Sequence, residues 1–152
     1  MKQIPLTKGK FAIVDADDYE KLSKHKWHLV KKERHEYAYR RDYSSDKKKG
    51  KMISMHREIM GFPSGVVDHI NMNGLNNRKS NLRITTKSIN GLNCNKKVNS
   101  RNNFKGVSRQ GKRWVAVFKL NGVRFKSGSF AFEEEAAKSY KMVINAIIGE
   151  NK

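Results

Sequence analysis

In the 74 residues from Ile59 to Phe132, Asp68 is the only carboxylate, against fourteen lysines and arginines. Solubility is served by mixed charges, so a lone acid fused to His69 inside so basic a span is poorly explained as solvated surface and reads as a ligand. With 152 residues and 37% hydrophobic content, the chain has little apolar material for one large core. Small modules sharing one external partner are expected.

That partner is a polyanion. The net charge of +19 is spread evenly, with +6 on residues 1–50, +6 on 51–98 and +7 on 99–152. A basic tail on a neutral body would concentrate that charge. Charge alone leaves ribosome-associated proteins and anionic membrane surfaces beside DNA, and motifs must decide among them. No run approaches the roughly 18 apolar residues of a membrane span, and the N-terminal MKQIPLTKGK lacks the apolar core of a signal peptide. A cytoplasmic protein with no membrane partner is expected. The single cysteine, Cys94, excludes an internal disulfide and paired-cysteine zinc sites, so no structural zinc is expected.

Local patterns divide the chain into regions 1–50, 51–98 and 99–152. Phe11 to Asp15 reads as a strand, followed by a helix to about Lys24 that Asp15 or Asp17 caps and that buries Tyr19 and Leu22. KHKWHLVKK and EYAYRRDY, split by the polar ERHE, read as an antiparallel pair. After the solvated loop SSDKKKG, KMISMH reads as a third strand, and Arg57 to Met60 as a helical turn before Gly61-Phe62-Pro63. Trp27, Tyr37 and Tyr39 are interleaved with Lys31, Lys32, Arg34, Arg40 and Arg41, the makeup of a base-stacking surface. Aromatics also dominate small cores, and the core reading is preferred. His25, His28 and His35 show no ligand-like convergence.

Val66 and Val67 read as a buried strand end that delivers Asp68 and His69 to its tip. Asn71 to Ser80 is a loop dense in Asn and Gly, which tolerate left-handed backbone and make side-chain turns. Asn81 to Ile84 returns as a second strand, and Thr85 or Thr86 caps a short helix containing Asn90. An Asp carboxylate and an Asn side-chain oxygen are hard donors suited to Mg²⁺ or Mn²⁺, and an adjacent His can activate water as a general base. Neighbouring strand residues point apart, so Asp68 and His69 can serve one site only where the strand ends, which the Asn-rich loop provides. A neutral His base also needs its second ring nitrogen held, and a side-chain amide such as Asn81 can accept that hydrogen bond.

MHREIMG, VVDHINMNG, LNNRKSNLR and TTKSIN, within residues 51–95, resemble the phage and intron-borne homing branch of the HNH endonuclease family. That family's ββα-metal finger carries an Asp-His pair on the first strand, an Asn on the second and a ligand on the helix. The resemblance implies that Asp68 and Asn90 bind one divalent metal, that His69 is the general base and that Asn81 orients it. Asn93 stands as the alternative helix ligand. His56, in a family-like His-Arg pair, is either a site residue or a packing residue before the finger.

Asn95 to Asn103 reads as a polar linker. Beyond it, FKGVSR, RWVAVFKL and VRFKSGSF read as three strands, turning at RQGK and at Asn121-Gly122. Glu133 to Ile148 reads as an amphipathic helix with Ala136, Tyr140, Val143, Ile144, Ile147 and Ile148 on one face. Regular alternation would point Val115, Val117 and Phe125 opposite to Ala116, Arg124 and Lys126. Residues 103–148 resemble the ethylene-response-factor type of DNA-binding domain, whose three-stranded sheet presents basic and aromatic side chains to the major groove. The resemblance implies DNA contacts from Lys105, Arg109, Arg113, Lys119, Arg124 and Lys126, with Trp114 as a further candidate.

The expected fold class is α+β: a small N-terminal sheet-and-helix region packed with the finger, a central ββα-metal finger, and a three-stranded antiparallel sheet on one helix. The expected function is metal-dependent, site-specific cleavage of double-stranded DNA, nicking one strand per finger, with no obligate protein partner. The alternatives are a DNA-binding regulator that keeps the finger as a scaffold, and an RNA-directed nuclease.

Overall fold

The computed structural model describes residues 1–33, 35–44, 48–93 and 102–149. Among these the chain forms ten strands in four small sheets and four α-helices, an α+β fold, divided into two units, Met1–Ile84 and Thr85–Lys152.

The first unit opens with β1 (Lys2–Pro5), antiparallel to β2 (Phe11–Val14). The sequence pattern shows only the second of these. KQIP carries one core residue, Ile4, and ends in a proline that an edge strand tolerates because no ladder N–H is required there. In α1 (Ala16–Ser23), Leu22 is fully buried and Tyr19 packs against the same cluster, as expected. Asp15 stands at the N-cap position but makes no cap; its carboxylate accepts the Lys79 backbone N–H at 2.8 Å.

A second sheet follows, β3 (His28–Lys32), β4 (His35–Asp42) and β5 (Lys51–Ser54), antiparallel in that order. Arg34 and residues 45–47 of the expected loop lie outside the described residues. The third strand stops at Ser54, short of the expected His56. Met55 and His56 instead open α2 (Met55–Ile59), where both are buried. Trp27 is a core residue, with its indole N–H on the Leu22 carbonyl at 2.8 Å and the Arg40 guanidinium 5.9 Å from its ring. It joins Ile4, Leu6, Ala12, Val14, Leu22, Ala38 and Met55 in one cluster.

β6 (Val66–His69) and β7 (Leu82–Thr85) form the remaining sheet of this unit. The loop between them is tied to β2, because Ile13 donates to the Leu75 carbonyl at 2.8 Å and Asn77 donates to the Ile13 carbonyl at 2.7 Å. The N-terminal strands thus buttress the segment that carries Asp68 and His69.

In the second unit, α3 (Lys87–Leu92) precedes β8 (Val107–Gln110), β9 (Arg113–Leu120), β10 (Val123–Phe130) and α4 (Glu133–Gly149). Residues 95–101 of the expected linker lie outside the described residues. Asn121 and Gly122 form the two-residue hairpin turn at φ of 49° and 86°. Ala136, Tyr140 and Ile144 on α4 bury against Ala116, and Leu92 of α3 joins them. Glu133 adds an unexpected staple, accepting from the Asn103 backbone N–H at 2.7 Å and from its amide at 2.8 Å. Among the described residues, no helix is long and apolar enough to cross a membrane.

Gly106 lies at φ +69°, where an added Cβ would overlap the Tyr140 ring. Gly111 has the same sign of φ, at +59°, with open space beside it. Urea unfolding should therefore show Gly111→Ala destabilised by about 1–2 kcal/mol from backbone strain alone, and Gly106→Ala clearly more.

Candidate active site and basic sheet face

The loop from β6 to β7 is built by amide side chains. The Asn81 side chain ties the start and the middle of it, accepting from the Asn71 N–H at 3.1 Å and donating to the Asn76 carbonyl at 2.7 Å. Asn71 and Asn73 each close a local turn two residues on, at 2.9 and 3.1 Å. Gly74 sits where any Cβ would collide with the Glu36 carbonyl and the Tyr37 ring. The consequence is a strand that stops at His69, whose own carbonyl accepts from Met72 at 2.9 Å.

His69 is 5% exposed, and its Nε2 lies 3.1 Å from Asn77 Oδ1. Asn77 donates its amide to the Gly74 carbonyl at 3.4 Å, so its oxygen faces the imidazole and Nε2 must be the donor. Neutral His69 therefore carries its lone pair on Nδ1. Burial holds its pKa below the ordinary histidine value, with the Asn77 hydrogen bond and the Asp68 charge pulling partly the other way. This corrects the expectation for Asn81. Asn77 holds the ring, while both ends of the Asn81 amide serve the loop backbone.

Two aromatic neighbours complete the cage. His56 meets His69 edge-on with ring centroids 5.0 Å apart, and Tyr37 lies 5.9 Å from His69 and 6.0 Å from His56. From the sequence Tyr37 reads as a core aromatic of the sheet; the pairing of β4 with its neighbours brings it here. His56 Nδ1 is buried with no hydrogen-bond partner among the described residues. Burial, with His69 and Arg57 adding to it, pushes the His56 pKa down to about 3.

Asp68 is paired with Arg83 of β7. The guanidinium Nη2 and Nε reach the same carboxylate oxygen, Oδ2, at 2.7 and 3.2 Å. The Arg83 side chain is 4% exposed and that of Asp68 12%. Arg83 Nη1 is buried without an acceptor among the described residues. Asn90 belongs to α3 in the second unit, where Thr86 Oγ1 caps the helix by accepting from Ile89 at 3.2 Å. Asn93 is the C-cap residue of that helix. A carboxylate and an amide oxygen are hard donors that fit Mg²⁺ or Mn²⁺. Among the described residues, no group of three or more His, Cys, Asp or Glu side chains is placed to hold a metal.

The second unit presents a basic sheet face, but its composition differs from the alternation assumed in the sequence. Cross-strand partners share a face, and Lys126 pairs with Val117, Arg124 with Lys119, and Gln110 with Arg113. Val115 and Val117 therefore lie on the side of Arg113, Lys119, Arg124 and Lys126. Ala116, Phe118 and Phe125 face the opposite way, toward α4, with Phe118 and Phe125 stacked at 5.2 Å. The helix core selects Ala116 and Phe118, and β9 follows. Arg109 shares the α4 side with Trp114, its guanidinium 5.8 Å from that ring. Lys105 donates to the Gly91 and Leu92 carbonyls at 3.0 and 2.9 Å, capping α3. Four of the six expected contact residues thus share the open face, and Lys105, Arg109 and Trp114 do not.

The two buried histidines set a pH dependence. The unfolded chain takes up a proton on His56 near its ordinary value of 6.5, whereas the folded chain does so only near about 3. Between these values the unfolded state binds more protons, so the His56 contribution is full above about pH 6.5 and is lost as pH falls toward about 3. Urea midpoints at about pH 7.5 and about pH 4.5 should separate strongly for the natural chain and less for His56→Phe, which keeps the ring volume without the titration.

Residues 59–92 match the family described as HNH endonuclease. A protein named as an uncharacterized HNH endonuclease, from Acanthamoeba polyphaga mimivirus, is 34% identical over 151 residues, covering 94% of this chain and 73% of the relative. No solved structure matches at a significant level. The Asp68–His69 strand end with its caged imidazole lies inside the matched segment, and the relative extends the likeness to nearly the whole chain: this protein belongs to the HNH endonuclease family.

Proposed function

We propose that this endonuclease hydrolyses phosphodiester bonds of double-stranded DNA with one divalent ion, Mg²⁺ or Mn²⁺, for which Asp68 supplies the carboxylate ligand, and with His69 as general base. The observation that carries the reading is the buried, neutral His69, whose Nε2 donates to Asn77 so that the lone pair falls on Nδ1, with the Asp68 charge acting on the ring. A base must be unprotonated at working pH, and burial ensures this. As Nδ1 takes a proton from the attacking water, a cation forms in a buried place, where the Asp68 charge stabilises it. Tyr37 and His56 restrict the ring, so the lone pair keeps one direction. When bound, the ion supplies positive charge for the pentavalent phosphate and for the departing oxygen.

Arg113, Lys119, Arg124 and Lys126 share one sheet face, which supports a reading in which they track a duplex. The reading assigns docking and site preference to residues 99–152 and cleavage to the finger in 51–98, as in homing or phage-borne enzymes of the cytoplasm. One finger cuts one strand per binding event, and no obligate protein partner is invoked.

Supercoiled plasmid incubated with the protein and Mg²⁺ should become nicked circles. His69→Ala should lower that rate by about 10³-fold while leaving duplex affinity nearly unchanged. Intact plasmid with persistent binding would establish the DNA-binding regulator instead, and preferential capture of structured RNA over duplex at matched salt would establish the RNA-directed reading. Replacing Lys119, Arg124 and Lys126 together by Ala should weaken binding to all duplexes and flatten the plot of log affinity against log salt by about 1 per lost phosphate contact. An unchanged salt slope would remove this face from the interface.

A further inference from the structure

The Asp68–Arg83 pair raises a question that the cleavage chemistry does not answer. A carboxylate intended for a divalent ion is already engaged, through two N–H groups, by a guanidinium that is itself 4% exposed. The second face of that guanidinium, Nη1, is buried with no acceptor, so among the described residues Asp68 is what compensates the Arg83 charge. Two consequences follow from electrostatics. An ion arriving at Asp68 meets a fixed positive charge within a few ångströms in a poorly solvated place. It also shares the carboxylate charge that Arg83 relies on, which weakens the compensation of a buried cation and is unfavourable.

We infer that Arg83 is a positioning residue and counter-charge that keeps Asp68 a weak metal ligand in the free protein, so that the divalent ion loads together with the DNA backbone. The phosphodiester brings the negative charge that the pair lacks: it offsets the incoming ion and adds anionic charge near the guanidinium as Asp68 is shared with the metal. Linkage makes the effect reciprocal, so duplex raises metal affinity by the factor by which metal raises duplex affinity. An enzyme built this way does not hold a loaded ion in the absence of substrate. The inference rests on the reading of Asp68 as a metal ligand.

The test is Mn²⁺ binding to the full chain, followed by calorimetry and by loss of the free-ion electron paramagnetic resonance signal, without any cleavage readout. Arg83→Gln should bind Mn²⁺ at least tenfold more tightly than the natural chain in the absence of DNA, and Arg83→Lys, which keeps the charge but not the fork, should stay within about threefold of it. Adding Asp68→Asn to Arg83→Gln should abolish the gain. A merely structural arginine predicts the reverse, weaker binding on substitution, and that result with Asp68→Asn still harmful would overturn the counter-charge while leaving Asp68 a ligand. Mn²⁺ binding indifferent to Asp68→Asn in both backgrounds would instead overturn the ligand reading. Should Arg83→Gln fail to fold by circular dichroism, the natural chain still decides: a non-cleavable phosphorothioate duplex must raise Mn²⁺ affinity by more than tenfold, and equal affinity with and without duplex would overturn the inference.

Discussion

The site depends on the Asn81 amide. By accepting from Asn71 and donating to Asn76 it ties the start and the middle of a loop to the residue that enters β7. A loop rich in Asn and Gly gains little from burial and is expensive to order. Side-chain amides replace the missing ladder by copying backbone hydrogen bonds, and the β2 contacts at Leu75 and Asn77 lock the result to the core. Everything chemical follows from that closure. β6 ends at His69, Asn77 is brought within hydrogen-bond distance of the imidazole, and Gly74 admits the Tyr37 ring at a spacing that any side chain would forbid.

The histidine pair shows how burial does work that charge cannot. In a chain of net charge +19 a solvated histidine is easily left neutral by its neighbours, but it is also free to rotate. Enclosing His69 with His56 and Tyr37 gives neutrality and direction together, since desolvation lowers both imidazole pKa values while the rings restrict each other. His56 contributes most by not ionising. A cation there would stand one ring away from the base and oppose the charge that develops on it.

Much of this was legible in the sequence, and the gaps have physical causes. Asp68 and His69 stood out because composition isolates them, and the loop, the Thr86 cap, the Asn121-Gly122 hairpin and the buried face of α4 all follow from local chemistry. What failed were choices between neighbours. Asn77 rather than Asn81 holds His69, a distinction that depends on which amide faces inward from a loop with no period. Tyr37 and His56 reach the site only through the pairing of β4 with β5 and the helical start at Met55, which are long-range facts. The parity of β9 was misread because Val115 and Val117 look more like core residues than Ala116. The α4 cluster takes Ala116, with Phe118 and Leu120 packed against it, so β9 turns Val115 and Val117 to the other face.

The two acids of the central region clarify what a lone carboxylate means in a basic chain. Glu58 and Asp68 are the only acids of residues 51–98, and each is bound by an arginine: Glu58 by the half-buried Arg40 at 2.8 Å, Asp68 by the buried Arg83 at 2.7 Å. The pairs look alike but are not equivalent. Arg40 has a second environment in the Trp27 ring, and Glu58 lies inside a helix, so that pair is closed on the core. Arg83 has an unsatisfied Nη1, and Asp68 stands at a strand end next to the base. A buried ion pair contributes little net stability, because desolvating two charges offsets most of their attraction. A pair kept half-satisfied at the edge of a site is therefore better understood through what it exchanges with than through what it holds together.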